Sequence, residues 1–191
     1  PYFPEQKTPW PLRPLSGLIL ITGLGFLPMA QGASIFGLIP WIMALCALWG
    51  ATVVDSHFQI IPDRFHALGA LACLCQGYIS GFSLPALILG LSLPVGCIVL
   101  NALWSLLRRG PALGWGDIKL FAWIGALIGI DVYAVLVGAC AVGTVLVLYR
   151  SISDQSRPRT PFAFAPMIAL SFAVLGLSLI HISEPTRLRS I

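Results

Sequence analysis

What most limits the fold of this chain is a succession of apolar stretches, each at or near the length that crosses a bilayer. A helix needs roughly 20 apolar residues to span the hydrocarbon core. Such stretches occupy residues 16–30, 35–54, 67–82, 86–107, 132–149 and 162–179, with a shorter one at 120–130. Only 9% of the 191 residues are charged, against about 25% in ordinary soluble domains, so no charged shell could cover this much apolar surface. The expected fold is all-α: a polytopic transmembrane helical bundle of about six or seven spans, forming one membrane domain over residues 16–180.

The two ends read differently. Residues 1–15 are proline-rich, carry Glu5, Lys7 and Arg13, and are expected to be an amino-terminal loop or the remnant of a longer region. Residues 181–191 look like a translated sequencing-adaptor tail and are expected to be an artefact.

Charge sets the expected orientation. Eleven Lys and Arg outnumber seven Asp and Glu, which in a soluble protein could signal nucleic acid. Here the basic residues cluster between apolar stretches, as topology signals do, and no nucleic-acid binding is expected. With seven crossings, Lys7, Arg13, Arg64, Arg108, Arg109, Lys119, Arg150, Arg157 and Arg159 fall on one side. Cytoplasmic loops are rich in Lys and Arg, so that side is the inner one. Merging residues 120–130 with the next span would flip everything after it. Cys46, Cys73, Cys75, Cys97 and Cys140 all lie in apolar stretches and read as packing residues, since the Cys73–Cys75 spacing is not that of a zinc-ligand pair.

Ionisable groups at a membrane are costly, and function is the default explanation for them. Among the seven acids, Glu5, Asp154 and Glu184 sit in loops and Asp131 at an outer turn, leaving Asp55, Asp63 and Asp117. Asp55 ends an apolar run and Asp117 follows Gly114-Trp115-Gly116, just before another helix. The glycines permit backbone freedom and close approach. The charge pattern puts both acids at the cytoplasmic boundary. Two carboxylates held together cannot easily both ionise, so they titrate as a pair. The charged member takes a proton from water, and the protonated one gives a proton to a peptide carbonyl oxygen. No metal or nucleophilic side chain is needed: His57, His66 and His181 are not spaced as ligands, and Ser56 lacks nucleophile-elbow glycines. The plain alternative is that Asp55 caps one helix and Asp117 starts another.

The segment from Asp55 to Asp63, DSHFQIIPD, resembles the signature of the type IV prepilin peptidases, and GWGDIKL from Gly114 to Leu120 resembles their GxGD segment. TPFAFAPMIAL, from Thr160 to Leu170, is similar to the Pro-Phe-x-x-Pro segment that opens their last helix. The likeness runs from about Val53 to about Gly176. It implies a multi-pass aspartic endopeptidase of the bacterial inner membrane that removes the short basic leader from prepilins or pseudopilins at the cytoplasmic face. Asp55 and Asp117 would be the catalytic pair. Asp63 would be a supporting acid, and Gly114 and Gly116 would shape the loop. Lys119 would either orient Asp117 or snorkel as a topology charge. The implied partners are the leader-bearing substrate and the lipid bilayer.

Two departures stand out. The cysteine tetrad that many relatives carry in an extra amino-terminal region, associated with N-methylation, is not visible, so no cofactor is expected; S-adenosylmethionine would enter only with that region. Trp115 is bulkier than the residue expected between the glycines. A transporter or channel using membrane carboxylates for protons or cations is the main competing reading, although both acids lie at one face and no internal repeat is apparent. An inactive homologue that only binds pilins is a third.

Overall fold

A computed structural model describes residues 35–107, 113–153 and 163–175. The expected span at 16–30, the basic segment at 154–159 and both termini lie outside the described residues. Among the described residues every regular element is helical. We number them α1 (Ile35–Phe58), α2 (Asp63–Ser80), α3 (Leu84–Leu107), α4 (Trp115–Ile128), α5 (Val132–Ser153) and α6 (Ala165–Leu175). A short 3-10 turn, Gly129–Asp131, separates α4 from α5.

Among the described residues three helical stretches are long and apolar enough to cross a membrane: Phe36–Phe58, Leu84–Leu107 and Trp115–Tyr149. α6 is a shorter apolar helix. α2, where a crossing was expected at 67–82, does not reach that apolarity, because it carries Asp63, Arg64 and His66 at its start and Gln76 near its end. The third stretch has 35 residues, about 52 Å at 1.5 Å per residue, far more than one straight crossing needs. It is broken in the middle. Gly129 has φ +64° and ψ −134°, a conformation open to a residue without a Cβ. α4 and α5 are thus separate helices, as the unmerged reading of the sequence expected. α4 alone, with 14 residues, measures about 21 Å.

Several helix ends differ from expectation, for local reasons. α1 continues past Val54 to Phe58, so Asp55 lies in its last turn instead of ending it. The polar residues there are served by their own helix: Thr52 Oγ1 donates to the Leu48 carbonyl at 2.8 Å, and Ser56 Oγ to the Thr52 carbonyl at 2.7 Å. α1 stops where Gln59 takes φ +56° and its amide bonds the Asp55 carbonyl at 2.8 Å. α4 begins at Trp115, five residues before the expected start, which puts Asp117 within its first turn.

α4 buries Ile118, Leu120, Phe121, Trp123, Ile124 and Gly125. Around it the core is closed by Leu48 and Ala51 of α1, Val132 and Val135 of α5, and Ile168 and Phe172 of α6. Small residues let the helices approach, the usual device where lipid removes the hydrophobic drive between helices. Gly90 of α3 meets Gly125 of α4 backbone to backbone, Gly69 of α2 lies under the Trp123 ring, Gly50 of α1 faces Phe65, and Gly138 of α5 faces Ser171. The outer face of α3 is apolar: Ile88, Leu89, Val95, Val99 and Leu103 are all exposed, a surface suited to lipid.

The contacts fix relative direction. Asp63 pairs with Lys119 and Gly69 with Trp123, so α2 and α4 run parallel. Asn101 bonds Leu113 while Gly90 meets Gly125, so α3 and α4 run antiparallel. The end of α1 and the starts of α2, α4 and α6 therefore gather at one end of the bundle.

Candidate active site

Asp55 comes to this end on the last turn of α1 and is buried, with 6% of its surface exposed. Its Oδ2 accepts the backbone N–H of Ala165 at 3.0 Å, from a residue 110 positions later. Asp55 does cap a helix, but that helix is α6, not a neighbour in sequence. Asp117 stands half-buried in the first turn of α4 and lies within Coulombic reach of Asp55. The two acids thus enter from different helices at one end of the bundle. Phe121 of α4 and Phe164, just before α6, hold the two sides together with ring centroids 6.4 Å apart.

The glycines act through space more than through backbone freedom. Gly114 has φ −64° and ψ 140°, values open to any residue, and Gly116 is helical. A Cβ on Gly114 would stand 3.1 Å from Asp117 Oδ2, so the carboxylate turns back over this glycine. A Cβ on Gly116 would stand 3.2 Å from the Ile61 side chain. The residues linking α1 to α2 therefore pass directly against the start of α4. Trp115 is 59% exposed and places no bulk in this contact.

Lys119 does not turn to Asp117. Its Nζ lies 2.5 Å from Asp63 Oδ1. Asp63 is thereby tied to α4 at the rim of the site, with both side chains largely exposed. The hydrogen bond and charge of Lys119 hold the Asp63 carboxyl below the usual carboxylate range. Arg64 lies beside it, its guanidinium 5.1 Å from the Phe65 ring centroid. His66 is buried one turn further on, and neither ring nitrogen has a hydrogen-bond partner among the described residues.

Three residues that shape the site escaped the reading of the sequence. Asn101, buried in α3, clasps the backbone of Leu113: its Nδ2 donates to the Leu113 carbonyl and its Oδ1 accepts the Leu113 N–H, each at 2.8 Å. This fixes the residue immediately before Gly114. A lone amide in an apolar run was the available signal. Gln59 ends α1 in the left-handed region, and no residue type announced that. Ala165 acts through its backbone, which no side chain reveals. Among the described residues no three His, Cys, Asp or Glu side chains group as metal ligands. Cys73 instead donates to the Trp123 carbonyl at 3.0 Å, joining α2 to α4.

Residues 41–148 match the type IV leader peptidase family. A Bacillus subtilis (strain 168) protein called prepilin leader peptidase/N-methyltransferase is 30% identical over 145 residues, covering 69% of this chain and 52% of its own length. A protein of the same description from Dickeya chrysanthemi is 29% identical over 167 residues, covering 86% of this chain and 51% of its own. The chain thus spans about half the length of these curated relatives. No solved structure matches it.

Proposed function

The chain belongs to the type IV leader peptidase family, and from that premise we propose that it is a membrane aspartic endopeptidase in which Asp55 and Asp117 activate one water. The substrate is a prepilin, the protein named in the relatives' descriptions, or a pseudopilin, as the resemblance of the motifs implies. Cleavage removes its leader at the cytoplasmic face of the bacterial inner membrane. Arg64 and Lys119 lie at the same end of the bundle as the acids, and basic residues mark the cytoplasmic side.

One observation carries the proposal. Two acids from separate helices converge, one of them buried, within Coulombic reach of each other. Carboxylates so placed favour a state with one proton between them. The charged carboxylate takes a proton from water as the water oxygen bonds to the peptide carbonyl carbon. The protonated carboxyl gives its proton to the carbonyl oxygen. On collapse the C–N bond breaks, the amine leaves with the first proton, and a hydroxyl proton returns to the second acid. Water is consumed, and both carboxyls end as they began. The chemistry needs no cofactor, and S-adenosylmethionine has no part in it. Gly114 and Gly116 leave room around Asp117, while Asp63 and Lys119 tie the rim.

The test is cleavage of a leader-bearing prepilin by purified protein. Asp55→Asn and Asp117→Asn should each lower turnover by at least about a hundredfold, the scale of general acid–base catalysis, with membrane insertion intact. Asp63→Asn should cost much less. Substantial activity in either of the first two variants, or complete loss in the third, contradicts the assignment.

A further inference from the structure

The environments of the two acids are unequal, and the first turn of α6 is the reason. A helix start leaves several N–H groups without partners inside the helix. Here Met167 and Ile168 both bond the Phe164 carbonyl, at 2.9 and 3.2 Å, and Pro166 has no N–H to give. The Ala165 N–H is left, and it goes to Asp55 Oδ2. Among the described residues no comparable donor reaches Asp117. A backbone donor and the positive end of a helix both favour a charged acceptor. We infer that the start of α6 sets the roles of the pair, with Asp55 the ionised member that takes the proton from water, Asp117 the member that protonates the carbonyl oxygen, and the Ala165 amide the positioning group that fixes Asp55. The inference rests on the peptidase reading above and adds to it which acid does what.

Ala165→Pro removes this amide and leaves Phe164, the lesser backbone donor to Asp55. The first helical position tolerates proline, whose fixed φ suits it and whose missing N–H is no loss to the helix. Phe164 lies just outside the helix, where the residue before a proline belongs. In the full chain, Ala165→Pro should lower kcat about tenfold to a hundredfold, the range for one hydrogen bond to a charged group, with KM changed less than twofold. Ala165→Gly retains the N–H and should recover most of that loss. Unchanged kcat in Ala165→Pro, or an equal loss in Ala165→Gly, overturns the inference.

A second measurement holds even if the proline variant fails to fold. In protein labelled with ¹⁵N-alanine, the Ala165 amide proton should resonate well downfield. It should move upfield in Asp55→Asn and much less in Asp117→Asn. No response to Asp55→Asn means that the acceptor is not a charged Asp55, and the role assignment fails while the peptidase reading stands. Wild-type protein that leaves a prepilin intact defeats the peptidase reading itself, whatever the resonance does.

Discussion

Lys119 Nζ stands 2.5 Å from Asp63 Oδ1, joining α4 to the start of α2 across 56 residues of chain. The pair sits at the rim of the site and is open to solvent, so salt and pH reach it. Exposed pairs contribute little to stability at best. A carboxyl held low by its partner stabilises the fold above its unfolded pKa, about 3.9, and loses that contribution as pH falls through the lower folded value. A double-mutant cycle of Asp63→Asn with Lys119→Met, read by thermal unfolding in detergent, should therefore show a small coupling at pH 7. The coupling should shrink in high salt and vanish in strong acid. A coupling unaffected by both would mean that the pair acts through packing.

Asn101 offers a larger effect. Replacing it with leucine strands the N–H and carbonyl of Leu113 away from their partners. Each orphaned group costs about 1–3 kcal/mol when buried, so Asn101→Leu should lose about 2 kcal/mol or more of stability. Turnover should fall too, because Leu113 leads directly into Gly114 and Asp117. Equal loss of stability with full turnover would show that this clasp holds the bundle but not the site.

The meeting of Gly90 with Gly125 sets up a contrast. A Cβ on Gly90 runs into the backbone of Gly125, which has no side chain to swing away, whereas a Cβ on Gly96 of the same helix meets nothing within 4 Å. Gly90→Ala should therefore destabilise by about 1–3 kcal/mol, the usual cost of overpacking. Gly96→Ala should be neutral or slightly stabilising. Comparable melting temperatures for the two variants would contradict the close crossing of α3 and α4.

Gln59 carries backbone strain at the end of α1, with φ +56°. A side chain in the left-handed region costs roughly 1–2 kcal/mol, and glycine escapes that cost. Gln59→Gly should hold or raise stability by up to about 1 kcal/mol. Gln59→Val should lower it by about 1–3 kcal/mol, the cost of a strained backbone residue. A valine variant as stable as wild type would remove this turn from the account of how α1 ends.

What could be read from the sequence follows the range of the interactions. The all-α membrane class needed only the apolar runs, and the break between α4 and α5 needed only Asp131 and the segregation of basic charge. Asp55 and Asp117 stood out as acids bordering apolar helices. The sequence ends α1 at Asp55 because a polar stretch begins there; in the fold the helix runs on to Phe58, with the Ser56 hydroxyl bonded to the carbonyl one turn back. The start of α4 was set too late because Gly114 and Gly116 suggested a flexible loop; in the fold, their missing side chains make room for Asp117 and Ile61. Lys119 leaves two readings open in the sequence; its ammonium goes to Asp63 on another helix and not to Asp117. The Asp55 contact was out of reach altogether, being made to a backbone amide 110 residues away.

That long tether has a bearing on biosynthesis. In a chain emerging from the ribosome, Asp55 is made 110 residues before Ala165. Until α6 arrives, the carboxyl near the end of α1 lacks the Ala165 amide. On the proposed reading, hydrolytic competence therefore waits for α6, and a chain not yet made that far lacks the contact that ties its first catalytic acid.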